Sequence, residues 1–136
     1  MVEPQALLDS DILSSVLRDD PRVVSRAEEY VLTNGQLQFS LISRFEILRG
    51  LKAKGARFQL VVFERFCRKH QVLPITDEII VQASDIYADL RRHGAIIGDA
   101  DILIAATALV HGMALATNNE RHFSRINDLQ IQNWLK

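Results

Sequence analysis

The stretch IIGDADILIAATALVHG (96–112) sets two carboxylates, Asp99 and Asp101, at the mouth of a segment that is otherwise almost wholly apolar. Residues 102–110 are apolar nearly all round, which is the pattern of a helix packed on two sides. Ala105, Ala106 and Ala108 would let a sheet approach that helix closely. The run MALAT (113–117) follows at once and reads as a short strand. A helix covered on both sides next to a buried strand belongs to an α/β domain. Near the N-terminus, ALLDSDILSSVLR (6–18) poses the same puzzle, because Asp9 and Asp11 follow another apolar run.

Outward from that helix, strands and helices alternate. QALLDSD (5–11) is a short buried strand ending in acids, and ILSSVLR (12–18) is one or two helical turns. In DDPRVVSRAEEYVLTNG (19–35), Asp20 is a good N-cap, Pro21 suits the first helical position and Asn34-Gly35 ends the helix. LQFSLI (37–42) fits a second strand and SRFEILRGLKAKG (43–55) a helix. ARFQLVVFERFCRKH (56–70) is a helix expected to turn Phe58, Val62 and Phe66 inward. QVLPI (71–75) is a third strand. Thr76 caps a helix over 76–94, with Asp77 and Glu78 in its first turn, Arg91, Arg92 and His93 in its last, and Gly94 as its stop. That helix buries a stripe of Ile79, Ala83, Ile86 and Leu90. NNERHFSRI (118–126) is a loop with a short helix, and LQIQNW (129–134) a final strand. The order predicts an α/β domain with a mainly parallel sheet and helices on both faces.

Composition bounds the rest. The 136 residues suit one domain spanning 1–136. The chain is 48% hydrophobic and 24% charged, as in an ordinary globular protein, and no apolar run reaches the ~18 residues of a membrane span. MVEPQALLDSD (1–11) lacks the basic and apolar regions of a secretory signal. Cys67 is the single cysteine, so no internal disulfide forms, and a cytoplasmic protein is expected. The net charge of −1 does not advertise nucleic-acid binding. Locally, RFEILRGLKAKGAR (44–57) carries five basic residues against Glu46 alone, although such a run is most simply a solvated helix face.

In an open parallel sheet, ligands bind beyond the carboxyl ends of the strands, where strand order reverses. Asp9, Glu46, Asp99, Asp101, Thr117, Asn118 and Asn119 all fall near such ends or at helix starts. Carboxylates gathered there repel one another unless a cation neutralises them, and an oxygen-only set suits Mg2+ or Mn2+ rather than zinc. Each acid also has a plainer reading. Ser43 and Glu46 have capping-box spacing, Asp99 and Asp101 could serve a helix N-terminus, and Asp11 could cap the turn after it. Asp9 is the hardest to explain as a cap. Cys67 and His70 are too few for a structural zinc site. His93, His111 and His122 show no ligand spacing, and no G-x-S-x-G or phosphate-binding glycine loop occurs.

Taken in order, LLDSDILSSVLR, SLISRFEILRGL and IGDADILIAATALVHGMALATNNERHFSRINDLQIQNW resemble a PIN-domain ribonuclease, and in particular the VapC toxins of toxin–antitoxin pairs. The likeness runs from about residue 6 to residue 134. It implies a three-layer α/β/α fold with a sheet of about five strands. It also implies catalytic roles for Asp9, Glu46, Asp101 and Asn119, with Asp9 and Asp101 as ligands of Mg2+ or Mn2+. Asp99 is then an outer ligand or a helix cap. Ser10 stands where the family has a small hydroxyl residue, and Asp11 where it most often has Asn. Asn119 departs from the many members with a fourth acid, which weakens the case for two metal ions. The resemblance further implies endonucleolytic RNA cleavage, a homodimer and a cognate antitoxin protein. Arg49, Lys52, Lys54 and Arg57 would contact RNA or that antitoxin. Two alternatives stand beside it. One is a metal-dependent aspartate phosphatase, suggested by Asp-Ser-Asp after a strand, although Leu13 breaks that family's pattern. The other is a silent PIN domain that only binds RNA or protein.

Overall fold

The computed structural model describes residues 4–136. Its elements run β1 (Ala6–Leu8), α1 (Ser10–Leu17), α2 (Pro21–Asn34), β2 (Gln38–Ser40), α3 (Leu41–Ala53), α4 (Arg57–Lys69), β3 (Gln71–Leu73), α5 (Asp77–Arg92), α6 (Asp99–Val110), β4 (Ala114–Ala116), α7 (Glu120–Phe123) and β5 (Ile131–Gln132). The five strands form one parallel sheet in the order β3-β2-β1-β4-β5. Consecutive strand residues point to opposite faces. Leu7 and Leu115 accordingly join a core with α5 and α6, including Ile79, Ile86, Leu90 and Ile104. Leu8, Phe39 and Ala116 join the opposite core, with Ile12 and Leu13 of α1, Val23 of α2, Phe63 of α4 and Trp134. The result is a three-layer α/β/α fold. Among the described residues no helix is long and apolar enough to cross a membrane.

Sequence signals mark both ends of α2 and the start of α5. Asp20 accepts a hydrogen bond from the Arg22 N–H at 3.0 Å, Pro21 opens α2, and Gly35 closes it at φ 89°. Thr76 accepts from the Ile79 N–H and begins α5. α6 is buried on two sides, as its all-round apolar pattern requires.

Several expectations change. The first strand stops at Leu8, because Asp9 caps α1, which takes in Ser10 and Asp11. The second strand ends at Ser40, because the Ser40 hydroxyl caps the Ile42 N–H at 3.0 Å and α3 starts at Leu41 instead of Ser43. The third and last strands shrink to Gln71–Leu73 and Ile131–Gln132. On α4, Phe58 is 79% exposed and Val62 42%, while Phe63 is buried at 1%. Phe63 and Phe66 lie near the Phe39 ring, at centroid distances of 6.4 and 5.9 Å. At about 100° per residue, Phe58 and Val62 point well away from the face that Phe63 defines.

Candidate active site

The sheet order reverses between β1 and β4, which register Leu8 against Ala116. The residues leaving those two strands are Asp9 and Thr117, so both stand at the switch point. The Asp9 N–H donates to the Ala116 carbonyl at 2.9 Å, which extends the ladder one step past the strands. Thr117 Oγ1 donates to Asp9 Oδ2 at 2.8 Å, and the Ser10 N–H donates to Oδ1 at 2.8 Å. Asp9 is the N-cap residue of α1, so its position after a buried strand does have a capping explanation. Capping does not explain its burial, since only 6% of the residue is exposed.

Burial raises the Asp9 carboxyl to about 7, with the Asp11 and Asp101 charges adding to the rise and the hydrogen bonds from Thr117 and Ser10 opposing it. Asp11 is also raised, by burial, against hydrogen bonds from the Asn118 and Ile12 N–H groups. Burial and then the Glu46 charge raise Asp101, with His122 pulling the other way. Carboxylates from α1, α3 and α6 therefore feel one another's charge in a partly dry space.

Asp11 is not the cap it resembles. Its Oδ2 accepts from the Asn118 N–H at 2.9 Å and its Oδ1 from the Ile12 N–H at 2.7 Å, so it ties the start of α1 to the loop leaving β4. Glu46 has no capping box with Ser43, because α3 begins earlier, and its Oε1 accepts from the Ser10 hydroxyl at 2.6 Å. Gly98 is the N-cap of α6, and among the described residues no side chain caps that helix. Asp101 Oδ2 lies 3.7 Å from His122 Nδ1, whereas Asp99 is exposed at the helix start. The Asn119 N–H donates to Thr117 Oγ1 at 2.9 Å, and Asn119 Nδ2 lies 3.0 Å from His122 Nδ1.

Thr117 and His122 enter the cluster from outside the set of acids. Thr117 was visible only as a strand-end residue. His122 had one sequence signal, its place three residues after Asn119 on the short α7.

Among the described residues no three acidic, histidine or cysteine side chains close on one point. A cation held here would rest on one or two carboxylates and complete its shell with water, which is the habit of Mg2+. The donors are oxygens, with a single imidazole at the rim, so the set fits a hard ion and not a closed zinc site.

The basic run divides. Arg49 Nη2 lies 3.7 Å from Glu46 Oε2, and Lys54 lines, with Glu46, a groove of about 360 Å3. Lys52 and Arg57 are exposed and do not line that groove.

The PIN domain family matches residues 6–129, a span that holds every acid of the cluster. This chain belongs to the PIN domain family. One relative of the PIN domain is the ribonuclease VapC2 of Haemophilus influenzae, 30% identical over 131 residues that cover 95% of this chain and 97% of that one. Another is the tRNA(fMet)-specific endonuclease VapC of Shigella flexneri, 29% identical over 94% of this chain and 96% of that one. The crystal structure of DNA-bound VapBC from Salmonella typhimurium contains a chain 27% identical to this PIN domain. That comparison has a TM-score of 0.86 and covers 96% of this chain and 98% of the other.

Proposed function

We propose that this PIN domain is a metal-dependent endoribonuclease toxin of a toxin–antitoxin pair. The observation that carries the reading is the set of acids gathered past β1 and β4 and at the start of α6, where burial raises Asp9, Asp11 and Asp101 together and neighbouring carboxylate charge adds to the rise at Asp9 and Asp101. A site arranged to be electrostatically costly when empty of cations is suited to binding one.

Asp9 and Asp101 would hold Mg2+ or Mn2+, with Asp99 able to reach only an outer position. When bound, the ion neutralises phosphate charge and makes water more acidic. Glu46, oriented by Ser10, accepts a proton from the attacking water. The water oxygen bonds to phosphorus, the bond from phosphorus to O3′ breaks, and O3′ takes a proton from solvent. The products are a 5′-phosphate and a 3′-hydroxyl. Asn119 supplies a neutral amide where a fourth acid would add charge, which favours one ion over two. Arg49 and Lys54 flank Glu46 and would hold the RNA backbone, and single-stranded or looped RNA suits a site that must reach a phosphate.

The Lys54 groove lies between α1, α3 and α4 and has an apolar floor of Leu17, Ile47, Leu51 and Phe63. An antitoxin segment with apolar residues and an acid to meet Arg18 or Lys54 would fill it and block Glu46. Exposed Leu41 and Phe45 on α3, with Ile80 and Tyr87 on α5, offer apolar area for a second copy of the chain. A homodimer is expected, and sedimentation would read monomer mass if that is wrong. An aspartate phosphatase needs Asp11 free to pass a proton, and both Asp11 oxygens are instead engaged by backbone N–H groups.

Induced expression of the wild-type chain in bacteria tests this reading. Growth should stop and RNA with new 5′-phosphate ends should accumulate, while Asp101→Asn permits growth. Arrest by Asp101→Asn would remove the carboxylate chemistry, and growth unaffected by the wild type would favour a silent PIN domain.

A further inference from the structure

Ser43 lies on α3 one turn before Glu46 and is fully buried, where α3 packs against the start of α1. Its Oγ is 3.0 Å from Ser10 Oγ, and Ser10 Oγ is 2.6 Å from Glu46 Oε1. Each hydroxyl carries one hydrogen, and an ionised carboxylate only accepts. The Ser10 hydrogen therefore goes to Glu46, and the Ser43 hydrogen is left to point at Ser10 Oγ. Among the described residues the Ser43 side chain has no other hydrogen-bond partner. The other Glu46 oxygen, Oε2, is 3.7 Å from Arg49, an exposed side chain that holds it loosely.

We infer that Ser43 is a positioning residue for Glu46, acting through the Ser10 hydroxyl. The two hydroxyls form a directed chain from the core to the carboxylate. Ser43 fixes the direction of the Ser10 hydrogen, and Ser10 fixes Oε1, which leaves Oε2 as the oxygen without a hydroxyl partner. Chains of this kind polarise one another, so the last bond is stronger than it would be alone. The inference rests on the nuclease reading above, because a Glu46 without chemistry would have nothing to be positioned for. A small polar residue that merely fills the α1–α3 contact would give the same burial. It would not couple energetically to Glu46.

Two measurements on the full chain separate these roles. The first uses an end-labelled transcript carrying a cleavage site mapped in total bacterial RNA. Ser43→Ala should lower kcat by about tenfold with KM unchanged, and Ser43→Thr should recover most of the loss. The second is a double-mutant cycle of Ser43→Ala with Glu46→Ala, read by urea unfolding in EDTA. The two substitutions should be non-additive by about fivefold in the folding constant, the scale of residues sharing one network. An additive cycle, or a Ser43→Ala variant that cleaves at the wild-type kcat, overturns the inference while leaving the nuclease reading intact. A wild-type chain that cuts no RNA overturns both, and the cycle then reports only whether the hydroxyl chain exists.

Discussion

Asp9 shows in one side chain how chemistry and stability oppose each other. Its folded carboxyl is raised from 3.8 to about 7, mainly by burial, so between those values the folded chain binds more protons than the unfolded one. Stability contributed by this group is present below pH ~4 and is lost as pH rises through ~7. Three pKa units correspond to a differential on the order of 4 kcal/mol. In EDTA, urea unfolding of the wild type should give lower stability at pH 8 than at pH 5. Asp9→Asn should flatten that dependence and raise stability at pH 8, with activity abolished. A wild type and variant with the same pH slope would mean that Asp9 is not held in a costly state. Asp9 and Asp101 were legible in the sequence because one follows a strand and the other opens a helix, and Glu46 because it stands within two turns of the second strand. Thr117 and Asp11 were not legible as partners. Their bonds to Asp9 and to the Asn118 N–H cross 108 and 107 residues and exist only once β1 and β4 lie side by side.

Helix starts and faces decide what each element presents. α3 begins one residue after β2, on the Ser40 cap, and this turn brings Glu46 beside Ser10 instead of leaving it in a first-turn capping box. Ser40→Ala should cost about 1 kcal/mol, the usual worth of an N-cap, and should also slow cleavage by loosening the first turns of α3. Unfolding and rate measurements on that variant check both parts, and an unchanged midpoint would show that packing alone fixes the helix start. The sequence put the cap at Ser43, with capping-box spacing to Glu46, and the helix is capped by Ser40 instead. The choice was made by strand pairing, since Ser40 still pairs with Leu73 of β3.

His70 ends α4 and ties it to the sheet, because its Nδ1 accepts from the Leu37 N–H at 2.9 Å while its ring lies 4.3 Å from Phe66. Burial and then the Lys69 charge push its pKa below 6.5. The unfolded chain therefore takes up this proton first as pH falls, and stability from His70 is present above pH ~6.5 and lost on acidification below it. His70→Ala should remove that acid sensitivity and cost about 1–3 kcal/mol at pH 7, the range for stranding a buried backbone donor. A loss that persists equally at pH 5 would show that ring packing, not the hydrogen bond, is what matters. The inward face of α4 was misread for a related reason. Phe58, Val62 and Phe66 are spaced as a stripe, yet Phe39 selects Phe63 and Phe66, and periodicity alone cannot say which stripe the sheet will meet.

At the scale of the whole molecule, the strand order β3-β2-β1-β4-β5 places one reversal in the sheet and one cluster of acids beyond it. The alternation of strands and helices was readable from pattern, as was their parallel sense, because each strand pair is joined by at least one helix. Strand lengths were not, since three-residue strands such as Ala6–Leu8 and Ala114–Ala116 are too short to show a period. The proposed function requires this cluster to bind a divalent cation and cut RNA. Its most direct test is incubation of purified chain with total bacterial RNA in Mg2+, in Mn2+ and in EDTA, beside Asp9→Asn. Discrete fragments that require the metal and vanish in the variant are predicted. Fragments that persist in EDTA or with Asp9→Asn would contradict the claim and assign the cleavage to other groups.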